Sequence, residues 1–180
     1  MQADRIRRLL PVVFQEGAAP GSPLSALLLV MEMLQEPDEE VLANLDRILD
    51  PRRTTEPFAY FLAHWADLDR FFAETDRRKK RDEFHFSSGV GQLRELVACA
   101  ATISKRRGTR LGLIALLETA TGMRGFDIVE NVPDSTGRPR PFHVKIIAPV
   151  VADAHRRLIE RIVEQEKPAH VTAELVFQTA

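Results

Sequence analysis

The sequence predicts an α+β fold: mainly helical over its N-terminal two thirds, with a long proline-kinked helical arm, followed by a small C-terminal ββαβ domain. Two observations lead there. Apolar residues recur at helical spacing through most of the first 120 positions, and from Phe126 onward the period changes to strict alternation, interrupted by one more helical stripe. The boundaries at which the pattern changes divide the chain into an arm over 1–55, a helical middle region over 56–122 and the ββαβ domain over 123–180.

The arm opens with an amphipathic segment, IRRLLPVVF, and the loop QEGAAPGSP. Ser22 and Pro23 then suit an N-cap and first helical position, since a serine oxygen can accept an otherwise unused backbone N–H and proline has none to waste. Leu24, Leu27, Leu28, Met31 and Leu34 mark one helical face. After Pro37, which predicts a kink or a restart, the pattern resumes as Val41, Leu42, Leu45, Ile48 and Leu49. Asp38, Glu39 and Glu40 would occupy the first turn of a restarted helix, where the backbone dipole favours anions, and Asp50-Pro51 marks its end.

In the middle region, Phe58, Phe61, Leu62, Trp65 and Leu68 lie on one helical face and are expected in a core or an interface. The run DRRKKRDEFHFSSGVG predicts a charged helix end and an exposed turn. Leu93, Leu96, Val97, Ala100 and Ile103 define a further helix, expected to run to Arg107 and stop at Gly108. Thr109 caps the next one, which carries Leu111, Ile114 and Leu117 and finishes at Gly122. The stretch SKRRGTRLGLIALLETATG thus reads as a helix-to-helix corner, in which Arg106, Arg107 and Arg110 can bind carbonyls or acidic neighbours.

Phe126 and Ile128 suggest a first strand, PDSTGRPRP a proline-rich hairpin loop, and Phe142, Val144 and Ile146 a second strand. Val151, Leu158, Ile159, Ile162 and Val163 form a helical stripe up to Lys167-Pro168, after which Val171, Ala173, Leu175 and Phe177 alternate. The strand residues Phe142, Val144, Ile146, Leu175 and Phe177 are expected to face Leu158, Ile162 and Val163 across one small core.

Composition narrows the function classes. A chain of 180 residues, 44% hydrophobic and 28% charged, suits one substantial core or a core with a satellite. The apolar run LSALLLVMEML is about half of the ~20 residues a membrane span needs and contains Glu32, so no membrane span is expected. No apolar stretch of signal-peptide length follows Met1, so export by that route is not expected. The lone Cys99 cannot form an internal disulfide and is expected as a buried small hydrophobe. The net charge of −1 hides an asymmetry: residues 1–50 carry 4 basic and 9 acidic side chains, residues 51–110 carry 13 and 8.

Candidate chemistry is sparse. Gly89-Val90-Gly91 completes neither a GxGxxG nor a GxxxxGK[ST] phosphate-binding pattern. Asp82, His85 and His64 lack the further ligands that a zinc site requires. His143, His155 and His170 accompany no GxSxG motif, so no nucleophilic triad is defined. The basic run Arg77 to Arg81, with Phe84 and Phe86 nearby, supports an alternative reading as a nucleic-acid-binding or adaptor protein, although a near-neutral chain with one short run favours a solvated helix end. No catalytic, metal or cofactor-binding residue is assigned and no enzymatic activity is expected.

The order of segments carries more information than any single motif. LPVVF, LLLVMEMLQEPDEEVLANLDRILDP, EPFAYFLAHWADLD, SKRRGTRLGLIALLETATG and IVEQEKPAHVTAEL together resemble the phage tail protein family of contractile-tail baseplate wedges, whose members also occur in phage-like contractile injection systems. The most specific pieces are the RRGTxxGL corner at 106–113, the EKPAH turn at 166–170 and the LDxxxDP helix end at 45–51. The resemblance implies a structural wedge component, assembled in the bacterial cytoplasm. It joins other wedge subunits, a second copy of itself, or neighbouring sheath and hub proteins around the tube, with neither nucleic acid nor membrane as a partner. Under that reading Leu24, Leu28, Met31, Leu45, Ile48, Arg106, Arg107 and Arg110 are expected at subunit contacts, and Gly108, Thr109, Gly122 and Pro168 at structural turns.

Overall fold

The computed structural model describes residues 5–72, 86–133 and 137–178. The run Arg77 to Arg81, together with Asp82, Phe84 and His85, lies outside them. The chain divides into two compact units, Met1–Arg47 and Ile48–Ala180. The fold is α+β and mainly helical, with a small three-stranded sheet near the C-terminus.

The first unit holds two short helices, α1 (Arg5–Leu9) and α2 (Val12–Gly17), the long α3 (Pro23–Ala43), and the start of α4 (Leu45–Leu49). Ser22 caps α3 by accepting the Ser25 N–H at 3.1 Å, with Pro23 at the first helical position. The helix continues through Pro37 and does not restart, so Asp38, Glu39 and Glu40 sit in its interior instead of at an N-terminus. Glu32, one of its few half-buried polar residues, turns back to α1, where its Oε1 accepts the N–H groups of Arg5 (3.0 Å) and Ile6 (3.1 Å). Those two groups open a helix and have no partner within it, so the carboxylate supplies the missing acceptor. Arg5 also pairs with Glu39 at 3.2 Å.

The second unit contains α5 (Glu56–Trp65), a 3₁₀ turn (Asp69–Phe71), α6 (Val90–Ser104), α7 (Arg110–Thr121), β1 (Asp127–Glu130), β2 (His143–Ala148), a 3₁₀ segment (Val150–His155), α8 (Arg156–Glu166) and β3 (Thr172–Phe177). The strands lie in the order β1-β2-β3, with β1 antiparallel to β2 and β3 parallel to β2. Ile146 is paired with Ile128 on one side and Leu175 on the other. A parallel pair cannot be closed by a tight turn, and α8 makes the crossover, laying Leu158, Ile159, Ile162 and Val163 into the core. The same core takes Ala63 from α5, Leu93 and Leu96 from α6, and Leu116, Leu117 and Ala120 from α7, so the helical middle and the ββαβ part share one hydrophobic interior.

Several expectations change in detail. On α5 the buried row is Ala59, Leu62 and Ala63, while Phe61 and Trp65 point outward, 43% and 66% exposed. Phe58, Phe61 and Trp65 form a ladder on that outer side, with ring centroids 5.2 and 4.8 Å apart. Small side chains face the core because α6 runs against this helix, and alanines permit close approach. Val151 falls in the 3₁₀ segment and is exposed, and Cys99 is half-buried, not buried. Phe142 does not face α8: it precedes β2 with φ +57° and is 65% exposed. Val144, Ile146, Leu175 and Phe177 do join or pack against the core.

Leu158 and Ile162 are fully enclosed, so replacing either with alanine removes buried methyl groups and leaves a cavity. Each change is expected to cost about 2–5 kcal/mol, measurable as a lowered denaturation midpoint; unchanged midpoints in both would contradict the packing described.

Candidate interaction site

After α6 the chain makes a helix-to-helix corner from residue 105 to residue 109. Gly108 has φ +75°, a left-handed conformation that costs any residue with a Cβ. Thr109 caps α7, its Oγ1 accepting the Gly112 N–H at 3.0 Å while its hydroxyl donates to the Arg106 carbonyl at 2.7 Å. A Cβ at Gly112 would lie 2.0 Å from that same carbonyl oxygen. The RRGTxxGL spacing therefore contains two different glycine requirements, backbone conformation at 108 and backbone approach at 112. The space around Gly108 is open, so a larger residue there meets conformational strain and not a steric clash with neighbours. Gly122 closes α7 in the left-handed conformation (φ +72°), and a Cβ there would meet the Gln92 side chain at 2.7 Å.

The three arginines have different environments. Arg110 donates from Nε to the Ile128 carbonyl at 2.7 Å and pairs with Asp127, tying the start of α7 to β1. The hydrogen bond that Arg110 donates to the Asp127 carboxylate, followed by that of the Ile128 N–H, holds this carboxyl below the usual aspartate range. Arg107 pairs at 3.3 Å with Glu166, whose side chain is only 7% exposed. Glu166 also receives Arg70 at 2.5 Å, and Arg70 reaches on to Asp67. Arg106 is exposed, and among the described residues its guanidinium has no hydrogen-bonding or ion-pair partner. Arg107 and Arg110 thus have partners inside their own chain, whereas Arg106 presents a free charge.

The EKPAH turn meets the corner through Glu166. Lys167 ends α8 in an extended conformation (ψ 143°), as the following proline requires, and the Val171 N–H closes the turn on the Pro168 carbonyl at 2.9 Å. Pro168 itself is exposed. His170 stands edge-on to Phe142, ring centroids 5.2 Å apart. A bulky aromatic at positive φ is strained, and Phe142 is held there by Thr172, whose N–H (2.9 Å) and hydroxyl (3.2 Å) both donate to its carbonyl. The Thr172 hydroxyl in turn accepts from His143 Nδ1 at 2.7 Å.

Between corner, sheet and turn lies a groove of about 420 Å³. Ile103, Leu113, Ile128 and Val144 give it apolar lining, and Arg107, Arg110, Glu130 and Lys167 give it charge. The two motif pieces that stand more than fifty residues apart in sequence are neighbours here. Of the missed residues, Gly112 was visible as the second glycine of the corner, Glu166 as the first residue of the turn. Phe142 had no signal, because alternation alone placed it inside the strand.

The expected arm contacts belong to the first unit, apart from Ile48, which opens the second. Leu28 is 4% exposed and so is enclosed by its own chain; Leu24 and Ile48 are half-buried; Met31 and Leu45 are exposed. Leu27, Leu34, Val41 and Leu42 are more exposed still. Among the described residues no helix is long and apolar enough to cross a membrane, and no three His, Cys, Asp or Glu side chains gather as metal ligands.

Residues 23–170, more than four fifths of the chain, match the family model described as phage tail protein (Tail_P2_I). The chain belongs to this family. Its role is structural, as part of a phage tail, among other tail proteins. No curated protein matches the chain. The match covers α3, the 106–113 corner and the EKPAH turn, and so includes both motif pieces that border the groove.

Two outcomes follow for the corner. Gly112→Ala, normally a favourable exchange inside a helix, should destabilise this phage tail protein more than Gly108→Ala. The second change costs about 1–2 kcal/mol for the left-handed backbone alone. Equal losses by chemical denaturation would show that the Arg106 carbonyl moves aside. For Asp127, a carboxyl whose folded-state value is lowered adds stability above its unfolded value, ~3.9, and loses it as pH falls through the folded value. The stability gap between the native chain and Asp127→Asn should therefore be present at pH 7 and close in acid; a gap independent of pH would assign the effect to packing.

Proposed function

We propose that this phage tail protein is a baseplate wedge component of a contractile phage tail or phage-like contractile injection system, assembled in the bacterial cytoplasm. It acts mechanically and not as an enzyme: it joins neighbouring wedge subunits around the tube and supports the baseplate until contraction. The observation that carries this reading is the state of α3. Only Leu28 of its many apolar side chains is buried, while Leu27, Met31, Leu34 and Val41 remain 40–73% exposed. A solvated helix does not keep such a face, which has its use against another protein.

The corner supplies the second feature. A groove with a strained aromatic at its edge and a free Arg106 beside it suits contact with an adjacent subunit. Packed contacts of both kinds, helix faces and fitted grooves, tend to hold one of two arrangements and not a continuum, which suits a ring that must wait for a trigger.

Introducing Met31→Glu with Leu34→Glu should leave the isolated chain folded, since both positions are already in water, yet abolish its recovery in tail-sized particles from the native host. Proteins co-sedimenting with the tagged native chain would identify the neighbours. Normal incorporation of the doubly charged variant would remove the arm from the assembly, and with it the main support for this role.

A further inference from the structure

Among the apolar residues of the first unit, the exposed Leu27, Met31, Leu34, Val41 and Leu45 share one regular spacing with the half-buried Leu24. Leu24, Leu27, Met31, Leu34, Asp38, Val41 and Leu45 follow each other at intervals of 3, 4, 3, 4, 3 and 4 residues, the repeat that keeps one line of side chains toward a partner helix. Within α3 this row runs from Leu24 to Val41, about 27 Å at the helical rise. Leu24, Met31, Asp38 and Leu45 hold the first position of successive heptads, and Leu27, Leu34 and Val41 the fourth. Leu29, Val30, Met33 and Leu42 of α3 are also exposed but lie off the row.

Asp38 is the exception in the row. It stands where every other member is apolar, is exposed, and makes no hydrogen bond or ion pair with a described residue. In a closed seam an unpaired carboxylate is costly, and it is tolerated when the facing helix brings a cation, which then fixes the register. The charge on α3 itself has the same sign: no lysine or arginine occurs from residue 9 to residue 46, and Glu36 and Glu40 add to it, while Glu32 and Glu39 are turned to Arg5 of α1. Parallel pairing with a second copy in register would set Asp38 against Asp38 and one acidic helix against another.

We infer that this row is the seam for a basic helix of a different protein chain, carrying an arginine or lysine opposite Asp38. The inference rests on the arm being an assembly surface and adds the sign of the partner, the register of the contact and the exclusion of parallel self-pairing. Net attraction between the two helices speeds their encounter, and the single buried pair selects one alignment among the several that apolar heptads alone would accept.

The test uses the full chain and synthetic helices of about four heptads. Each has leucine in the seam, lysine on the flanks, and one arginine placed to meet Asp38 in either parallel or antiparallel alignment. A control set carries glutamate on the flanks. One lysine-flanked peptide should bind at least tenfold more tightly than its glutamate counterpart by fluorescence anisotropy. Asp38→Lys should weaken that peptide at least tenfold, and exchanging the peptide's arginine for aspartate should restore it. Glu36→Lys, with the same change of net charge on the outer face, should have a much smaller effect.

Four outcomes overturn the inference: equal binding of both sets, binding by neither alignment, indifference to Asp38→Lys, or self-association of the chain by sedimentation that Leu34→Glu abolishes. Particle incorporation separates this from the wider role. If the Met31→Glu, Leu34→Glu variant fails to assemble while the peptides bind without charge preference, the arm remains an assembly surface and only the basic partner is refuted. If the variant assembles normally, the role of the arm in the tail fails whatever the peptides do.

Discussion

At residue 112 the chain has no room for a side chain, because a Cβ there would lie 2.0 Å from the Arg106 carbonyl oxygen. The first turn of α7 packs directly on the corner, and the helix runs from there into the core of the second unit. It delivers Leu116, Leu117 and Ala120 into the core shared with α8 and the sheet, and the corner brings Arg110 to the end of β1 and Arg107 to Glu166. A glycine that looks like an ordinary weakness in a helix is in fact the condition for joining the helical layer to the sheet.

Glu166 takes part in that joining from the other side. A carboxylate with 7% of its side chain exposed is expensive to bury alone, and here two guanidinium groups from separate segments converge on it. One belongs to the corner and the other to the chain after α5, so the end of α8 is fastened to both. The crossover helix is thereby fixed along its length by Leu158 and Ile162 and at its end by charge, which defines where the EKPAH turn emerges beside the corner.

Much of this was legible in the sequence, and the reasons differ by element. The caps at Ser22 and Thr109, the closing glycine at 122, and the change of period after Phe126 are local signals that depend on a few neighbouring atoms. On α5 the sequence leaves core and interface open for the aromatic face; the core side is taken by Ala59, Leu62 and Ala63, because close helix contact selects for small size, and Phe61 and Trp65 face outward. Of the two outcomes expected at Pro37, a kink or a restart, the restart does not occur, since one helix runs on through it. Phe142 was assigned to a strand by alternation, but Thr172 holds its carbonyl in a turn, a contact thirty residues distant that no local pattern reports. In the candidate site, the sequence identified the arginines without their partners: Arg107 and Arg110 are committed within the chain, and only Arg106 is left facing outward.

The two units of this phage tail protein therefore differ in how far they close on themselves. In the second, helices and sheet enclose one hydrophobic core and charges are paired across segments, although Phe61, Trp65, Leu111 and Phe142 stay exposed. In the first, a 21-residue helix keeps one buried leucine, has no lysine or arginine of its own, and leaves most of its heptad row exposed. Neither stability nor solubility of a lone chain explains such a row, since both would improve with polar replacements at Leu27, Leu34 and Val41. Retaining them makes sense when burial is completed by a second protein, and the solitary Asp38 among them restricts which protein that is. A self-contained unit joined to an incomplete one is the arrangement expected of a tail component that folds first and finds its place in the assembly afterwards.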